Sequence, residues 1–289
     1  MSSILTNSSA MNALATLKDV NRGLNQTQDR VSTGLKVASG KDNAAYFAVS
    51  ETMKGDSGMF KAINEGMSAT KNSVATARLG AETVSDIAQQ IVERVAFAQT
   101  DGVDRADVQL EIDALVKNMG TAIEQATFNG DNLVDGTKMD DGTTDNSITL
   151  VNGVKRDGST FATTTFNFEG VNLGAIKTAF ESVKVYSETT PGTPDDIDMS
   201  AALSAAETQL AASITAATSL GITENALEGQ MEFIDSLTDT LDSGVSSMVD
   251  ADMEEEAARL QAYQVQQQLA TQSLSIANQA PQNILSLFR

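Results

Sequence analysis

From Val74 onward the apolar or small residues fall at Val74, Ala77, Ala81, Val84, Ala88, Ile91, Val95 and Ala98. Their steps alternate three and four, the spacing of a coiled-coil seam. Asp101-Gly102 interrupts the pattern, and a second run follows at Val108, Ile112, Leu115, Met119, Ala122 and Ala126. Phe128-Asn129-Gly130-Asp131 supplies turn residues that close this second helix.

A longer seam runs through Leu203, Ala206, Leu210, Ser213, Ala217, Leu220, Glu224, Leu227, Met231, Ile234, Thr238, Leu241, Val245 and Met248. One slipped residue would destroy its phase, yet the phase passes intact through Gly221. The spacing therefore predicts a single helix of about 45–50 residues. Such a helix spans roughly 70 Å, too long for a compact domain of this size.

Both ends carry helical spacing as well. Leu17, Leu24 and Val31 fall seven apart, flanked by Leu14 and Leu35. Met253, Leu260 and Leu274 share one heptad position near the other end, beside Tyr263, Ala270 and Ala277. Residues 260–288 contain no charged side chain, and Gln264, Gln266, Gln267 and Gln268 supply the polarity. A solvated helix ordinarily carries Lys and Glu, so this face reads as buried against partners. Spacing alone would also allow the Leu17–Leu24–Val31 stripe to be an internal core. Its position in the chain and the uncharged C-terminal helix favour an interface between molecules.

The middle differs. Ser147-Ile148-Thr149-Leu150-Val151 and Thr160-Phe161-Ala162-Thr163-Thr164-Thr165-Phe166 have strand composition, with Asn152-Gly153 and Asp157-Gly158 as turn signals. Thr189-Thr190-Pro191-Gly192-Thr193-Pro194-Asp195-Asp196 reads as loop. The expected fold is mainly α: an elongated antiparallel helical coiled-coil bundle with a small exposed β-hairpin region.

Composition narrows the chemistry. Lys plus Arg number 19 against 39 Asp plus Glu, a formal net charge of −20. That excess disfavours binding to nucleic acid or to anionic lipid. Without Cys or His, a Cys/His zinc site, an imidazole base and a thiol nucleophile are excluded. Aromatics are only 4% of residues and prolines only three, which suits a thin core between packed helices. The start of the chain lacks a signal-peptide pattern, and no stretch approaches the ~18 apolar residues of a membrane span. No cofactor is expected, and no membrane insertion.

Several local patterns then resemble one family. Arg30-Val31-Ser32-Thr33-Gly34-Leu35-Lys36-Val37, followed by Ser39-Gly40-Lys41-Asp42-Asn43-Ala44-Ala45, is similar to the N-terminal signature of bacterial flagellins. The ending Ala277-Asn278-Gln279-Ala280-Pro281-Gln282-Asn283-Ile284-Leu285-Ser286-Leu287-Phe288-Arg289 resembles the flagellin C-terminus. Phe128-Asn129-Gly130 with Leu133, Asp250-Ala251-Asp252, and Ser219-Leu220-Gly221 match further flagellin patterns in the same order. The chain departs from that pattern at Tyr46-Phe47, where glycine-leucine is usual. It departs again in Gln90-Ile91-Val92-Glu93-Arg94-Val95, where Ile91 replaces the first arginine of a stretch contacted by an innate immune receptor.

The resemblance implies a structural filament subunit that polymerises through its terminal helices to serve motility, and not an enzyme. It implies that 1–45 and 251–289 form the inner filament core. It places 46–135 and 200–250 in an outer tube of long helices, and 136–199 in a short solvent-facing β/loop region. The polymerisation interface would comprise Leu14, Leu17, Leu24, Val31, Leu35, Leu260, Tyr263, Leu274, Ile284, Leu285, Leu287 and Phe288. Partners would be further copies of the chain, a flagellar export chaperone, the filament cap and the hook-junction proteins. Export would pass through the flagellar channel to the extracellular filament, without signal cleavage.

Three other readings compete. A hook–filament junction protein has related ends, a secreted translocator would need an apolar hairpin, and an enzyme would need groups this chain lacks. Asp250, Asp252, Glu254, Glu255 and Glu256 could suggest calcium. Helix capping by Asp252, with Glu255 completing a capping box, is the better account. The acidic stretches Asp140-Asp141-Gly142 and Asp195-Asp196-Ile197-Asp198 read as solvated loops.

Overall fold

A computed structural model describes residues 7–136, 147–157, 160–188 and 197–286, with backbone alone at 147, 156–157, 160–161 and 280–286. Among these residues the elements run α1 (Ser8–Thr33), α2 (Ala44–Phe97), α3 (Arg105–Gln125), β1 (Thr127–Phe128), β2 (Asp131–Asn132), β3 (Ser147–Asp157), β4 (Thr160–Glu169), α4 (Leu173–Ser182), α5 (Met199–Val249) and α6 (Met253–Ser286). The chain divides into two compact units. One comprises Met1–Gly58 with Asp239–Arg289, the other Met59–Thr238.

The Met59–Thr238 unit is organised by the seams read from the sequence. Every position from Val74 to Ala98 in that series is fully buried. On α5 the series positions within this unit, Leu203 to Thr238, are all buried or half-buried. α5 is one helix of 51 residues, as its unbroken phase requires. Polar pairs join the two helices from positions seven apart on α2: Asn64 donates to Asp235, Lys71 to Glu228, and Arg78 Nε to Glu224 at 2.7 Å. Gly221 lies under the Arg78 side chain, whose Cδ would stand 3.6 Å from an added Cβ. The glycine thus leaves a shallow bed for the arginine stem, and the helix continues through it.

α3 lays Val108, Ile112, Val116, Met119 and Ile123 against the same core. A two-residue turn then joins β1 to β2, with Asn129 at φ 52° and Gly130 at φ 86°. Those left-handed values are what a tight hairpin demands, and Asn-Gly supplies them at low cost. Buried Asn132 seals the turn by donating to Ile123 O at 2.7 Å and accepting from Val134 N at 2.9 Å.

The middle region holds more structure than its composition suggests. β3 and β4 form an antiparallel hairpin whose Phe168 is buried, with Ile148, Leu150 and Phe166 packed against the core. Asn152-Gly153 does not turn the chain. It forms a bulge inside β3, where the register shifts between Val151 and Gly153. Thr164 crowds the bulge, since a Cβ on Gly153 would come within 2.7 Å of its Oγ1. α4, absent from the sequence reading, begins at the Asn172 cap and buries Leu173, Ile176 and Phe180. Gln109 of α3 then pins the following segment, accepting from Val185 N at 2.8 Å and Tyr186 N at 3.3 Å. The acidic stretch 140–142 and the loop 189–194 with Asp195 and Asp196 lie outside the described residues.

Candidate assembly interface

α1 and α6 run against each other inside the unit formed by the chain ends. On α1 the buried or half-buried line is Ala10, Ala13, Leu17, Val20, Leu24, Thr27 and Val31. On α6 it is Glu256, Leu260, Tyr263, Gln267, Ala270, Leu274 and Ala277. Both series step three and four, so each helix presents a heptad seam to the other.

The ends of these helices are fixed by capping residues. Asn7 caps α1, its Oδ1 accepting from Ala10 N at 3.1 Å. Its Nδ2 donates to Ala277 O at 2.8 Å. That carbonyl stands four residues before Pro281, which has no N–H to offer it. The asparagine thus satisfies an acceptor that the proline leaves open. α1 ends at Gly34, at φ 73°, whose N–H returns to Arg30 O. The outgoing chain then pairs with the segment before α6: Lys36 N donates to Val249 O at 2.7 Å, and Ala251 N donates to Gly34 O at 2.9 Å. Leu35 faces Asp250 in this bridge.

The Ser39–Ala45 stretch is a capping device. Asp42 accepts from Ala38 N, Ser39 N and Ser39 Oγ at 3.0–3.2 Å. The Ser39 hydroxyl and these amides hold its carboxyl below the ordinary aspartate value, with Arg30 adding attraction. Asn43 then receives Ala45 N and Tyr46 N at the start of α2. Of the two residues that depart from the family pattern, Tyr46 is exposed, while Phe47 packs with Val37, Val245 and Val249. Asp252 caps α6 by accepting from Glu254 N and Glu255 N. Glu255 does not reach back as a capping box would. It pairs with Arg259 at 2.6 Å, one turn ahead. Glu256 is 5% exposed and holds Arg30 at 3.0 Å and Arg259 at 3.4 Å.

The residues chosen from sequence therefore divide. Leu17, Leu24, Val31, Leu260, Tyr263 and Leu274 are half-buried in the seam between α1 and α6 of one chain, so much of their surface is already covered. Leu35 packs in the small cluster around Val37 and Val249. Leu14 is 42% exposed. Ile284 and Leu285 belong to the last turn of α6, where backbone alone is described, and Leu287 and Phe288 lie outside the described residues. The sequence reading missed an outward apolar set: Met11 at 65% exposed, Val265 at 55%, Leu269 at 60% and Ile276 at 63%. Their signal was present, because no charge interrupts 260–288. A shallow cavity of about 290 Å³ beside Leu269 is lined by Ala13, Thr16, Val20, Gln266, Ala270 and Ser273. Among the described residues no group of three or more acidic side chains could hold a metal ion, and no helix is long and apolar enough to cross a membrane.

Paired terminal helices, one of them uncharged from residue 260 on with Val265, Leu269 and Ile276 exposed, and long seamed helices between them in sequence, define a helical subunit made for association. Residues 4–139 match the bacterial flagellin N-terminal helical region, and 201–288 match the bacterial flagellin C-terminal helical region. The chain is 38% identical to a flagellin of Brucella melitensis biotype 1 over 293 residues, covering all of both chains. It is 34% identical to flagellin FljM of Caulobacter vibrioides, covering 100% of this chain and 99% of that one. It is 31% identical to flagellin A of Rhizobium meliloti in an alignment of 394 residues spanning both chains. The chain belongs to the bacterial flagellin family. It is a structural subunit of the extracellular flagellar filament, serving motility through polymerisation, and not an enzyme.

Proposed function

We propose that assembly proceeds through the outer faces of α1 and α6, with 1–45 and 251–289 forming the inner core of the filament. Residues 46–135 and 200–250 form the outer tube, and 136–199 faces solvent. The carrying observation is the uncharged length of α6 with Val265, Leu269 and Ile276 exposed, as Met11 and Leu14 of α1 are. Burying such a stripe removes apolar area from water at about 25 cal/mol per Å². It also offsets the entropy of ordering the helices, roughly 1–2 kcal/mol per residue for backbone. Contacts repeated head to tail without ring closure generate a helical polymer.

The interface thus combines the seam residues Leu17, Leu24, Val31, Leu260, Tyr263 and Leu274, which shape the pair, with the outward residues and the final Ile284, Leu285, Leu287 and Phe288. Before assembly the exposed stripe calls for protection. An export chaperone on the C-terminal region fits that need, with passage through the flagellar channel. The filament cap and hook-junction proteins fit as contacts at the two ends of the polymer.

The test is seeded growth of full-length chain, read by electron microscopy and pelleting, beside Leu269→Asp with Ile276→Asp. Growth of the unsubstituted chain and none of the variant supports the outer-face assignment. Normal growth of the variant overturns it.

A further inference from the structure

The α1–α6 seam nearly repeats itself every seven residues. Leu17, Leu24 and Val31 occupy one line on α1, and Leu260, Gln267 and Leu274 occupy one on α6. Sliding one helix by a heptad, roughly 10 Å, sets apolar positions against apolar positions again. Hydrophobic burial is non-directional, so it separates these alignments poorly. Something else must choose among them.

Beyond the main-chain bridge at the base of the pair, three matched side-chain features do not repeat. Glu256 is buried against Arg30, with its Oε2 shielded from solvent and without a hydrogen-bond partner. Tyr263, one heptad further along α6, lies over Gly23, one heptad earlier on α1, where an added Cβ would stand 2.6 Å from the ring. Asn7 reaches the Ala277 carbonyl that Pro281 leaves open. A slip in one direction carries Glu256 to Gly23 and Tyr263 to Thr16, leaving the acid without its arginine and the ring without its notch. A slip in the other direction carries Tyr263 onto Arg30 and Glu256 to Val37, beyond the left-handed Gly34 that ends α1. Either slip also moves Asn7 away from the one carbonyl that proline frees.

We propose that the Arg30–Glu256 pair, backed by the Gly23–Tyr263 notch, is the register lock of the terminal helices, selecting the one alignment in which a copy can join the polymer. A buried polar pair weakens a seam but penalises wrong alignments more, which is the best-attested use of such groups. The assembly consequence rests on the reading of α1 and α6 as the polymerising element.

The absence of cysteine allows a direct test. Asn21 and Gln267 are hydrogen-bonded at 2.7 Å in the observed alignment. Asn21→Cys with Gln267→Cys therefore reports that alignment. Asn21→Cys with Leu260→Cys, or with Leu274→Cys, reports a slip of one heptad either way. Full-length chains carrying each pair are seeded and oxidised, and intramolecular links are mapped by mass spectrometry in pellet and supernatant. Without further change, only the 21–267 link is expected. Glu256→Gln or Arg30→Gln is expected to raise a slipped link by roughly tenfold or more, and the exchange Arg30→Glu with Glu256→Arg to reverse it. Slipped links staying at background in both single variants overturn the lock, as does failure of the exchange to reverse them. Loss of every link in Glu256→Gln overturns it too, since the pair would then hold the helices together without choosing their register. Failure of the unsubstituted chain to grow on seeds would count against the assembly reading alone, because the links report register in either fraction.

Discussion

The two seams of this chain follow the same spacing and are filled differently. In the Met59–Thr238 unit the seam positions are Val, Ile, Leu, Met and Ala apart from Ser213, Glu224 and Thr238 on α5, and those from Val74 to Ala98 are sealed completely. Between α1 and α6 the corresponding positions include Thr27, Gln267 and Glu256, with alanine at Ala10, Ala13, Ala270 and Ala277. Most are only half-buried. Spacing decides that helices pair, while the residues at those positions decide how firmly. A sealed seam supports itself. A seam left half-open depends on what covers its outer face.

The largest test of that contrast truncates one leucine on each side. Leu227→Ala, in the sealed seam, is expected to lower the unfolding free energy by about 2–5 kcal/mol. Leu274→Ala, in the half-open seam, is expected to change the main thermal transition little while sharply slowing seeded growth. Circular dichroism melts of both variants beside growth rates check this, and equal shifts in the melts would erase the distinction. Gly80→Ala comes next. Its Cβ would stand 2.5 Å from Ala126 Cβ, so α2 and the end of α3 must part, at a cost of about 1–3 kcal/mol in urea unfolding. The smallest effect concerns Asp42. Its folded-state pKa is depressed below 3.8 by the Ser39 hydroxyl and neighbouring amides, so its contribution is present above that value. The contribution is lost as pH falls through the depressed value. Ser39→Ala should flatten that part of the acid titration of helix content and leave neutral-pH helix content unchanged.

Much of this architecture is legible in the chain because period and burial agree where residues are large. Val74 to Ala98 and Leu203 to Met248 could be placed position by position. The first half of α2 was harder to read. Ser50 and Ser57 occupy buried positions there, and Gly55, Gly58 and Gly66 dilute the apolar signal. Asn152-Gly153 carries the composition of a turn, but its partner strand continues past it, and only pairing could show the extra residue as a bulge. At the ends, Leu17, Leu24 and Val31 were read as a seam facing another molecule, and in the structure that seam is occupied by α6 of the same chain. One-dimensional spacing is the same for a partner in the same chain or another. Glu256 was legible as an acid near a helix start, but the arginine that buries it lies far away in sequence.

The bridge between the connectors has a mechanical meaning. Gly34, Lys36, Val249 and Ala251 are joined through main-chain groups alone. A rotating filament must carry torque through every subunit, and the connectors of this chain are tied to each other by amides and carbonyls. Such a link is indifferent to ionic strength and to most substitutions at Leu35 or Asp250. Replacing the side chains around it leaves the donors and acceptors of that coupling in place.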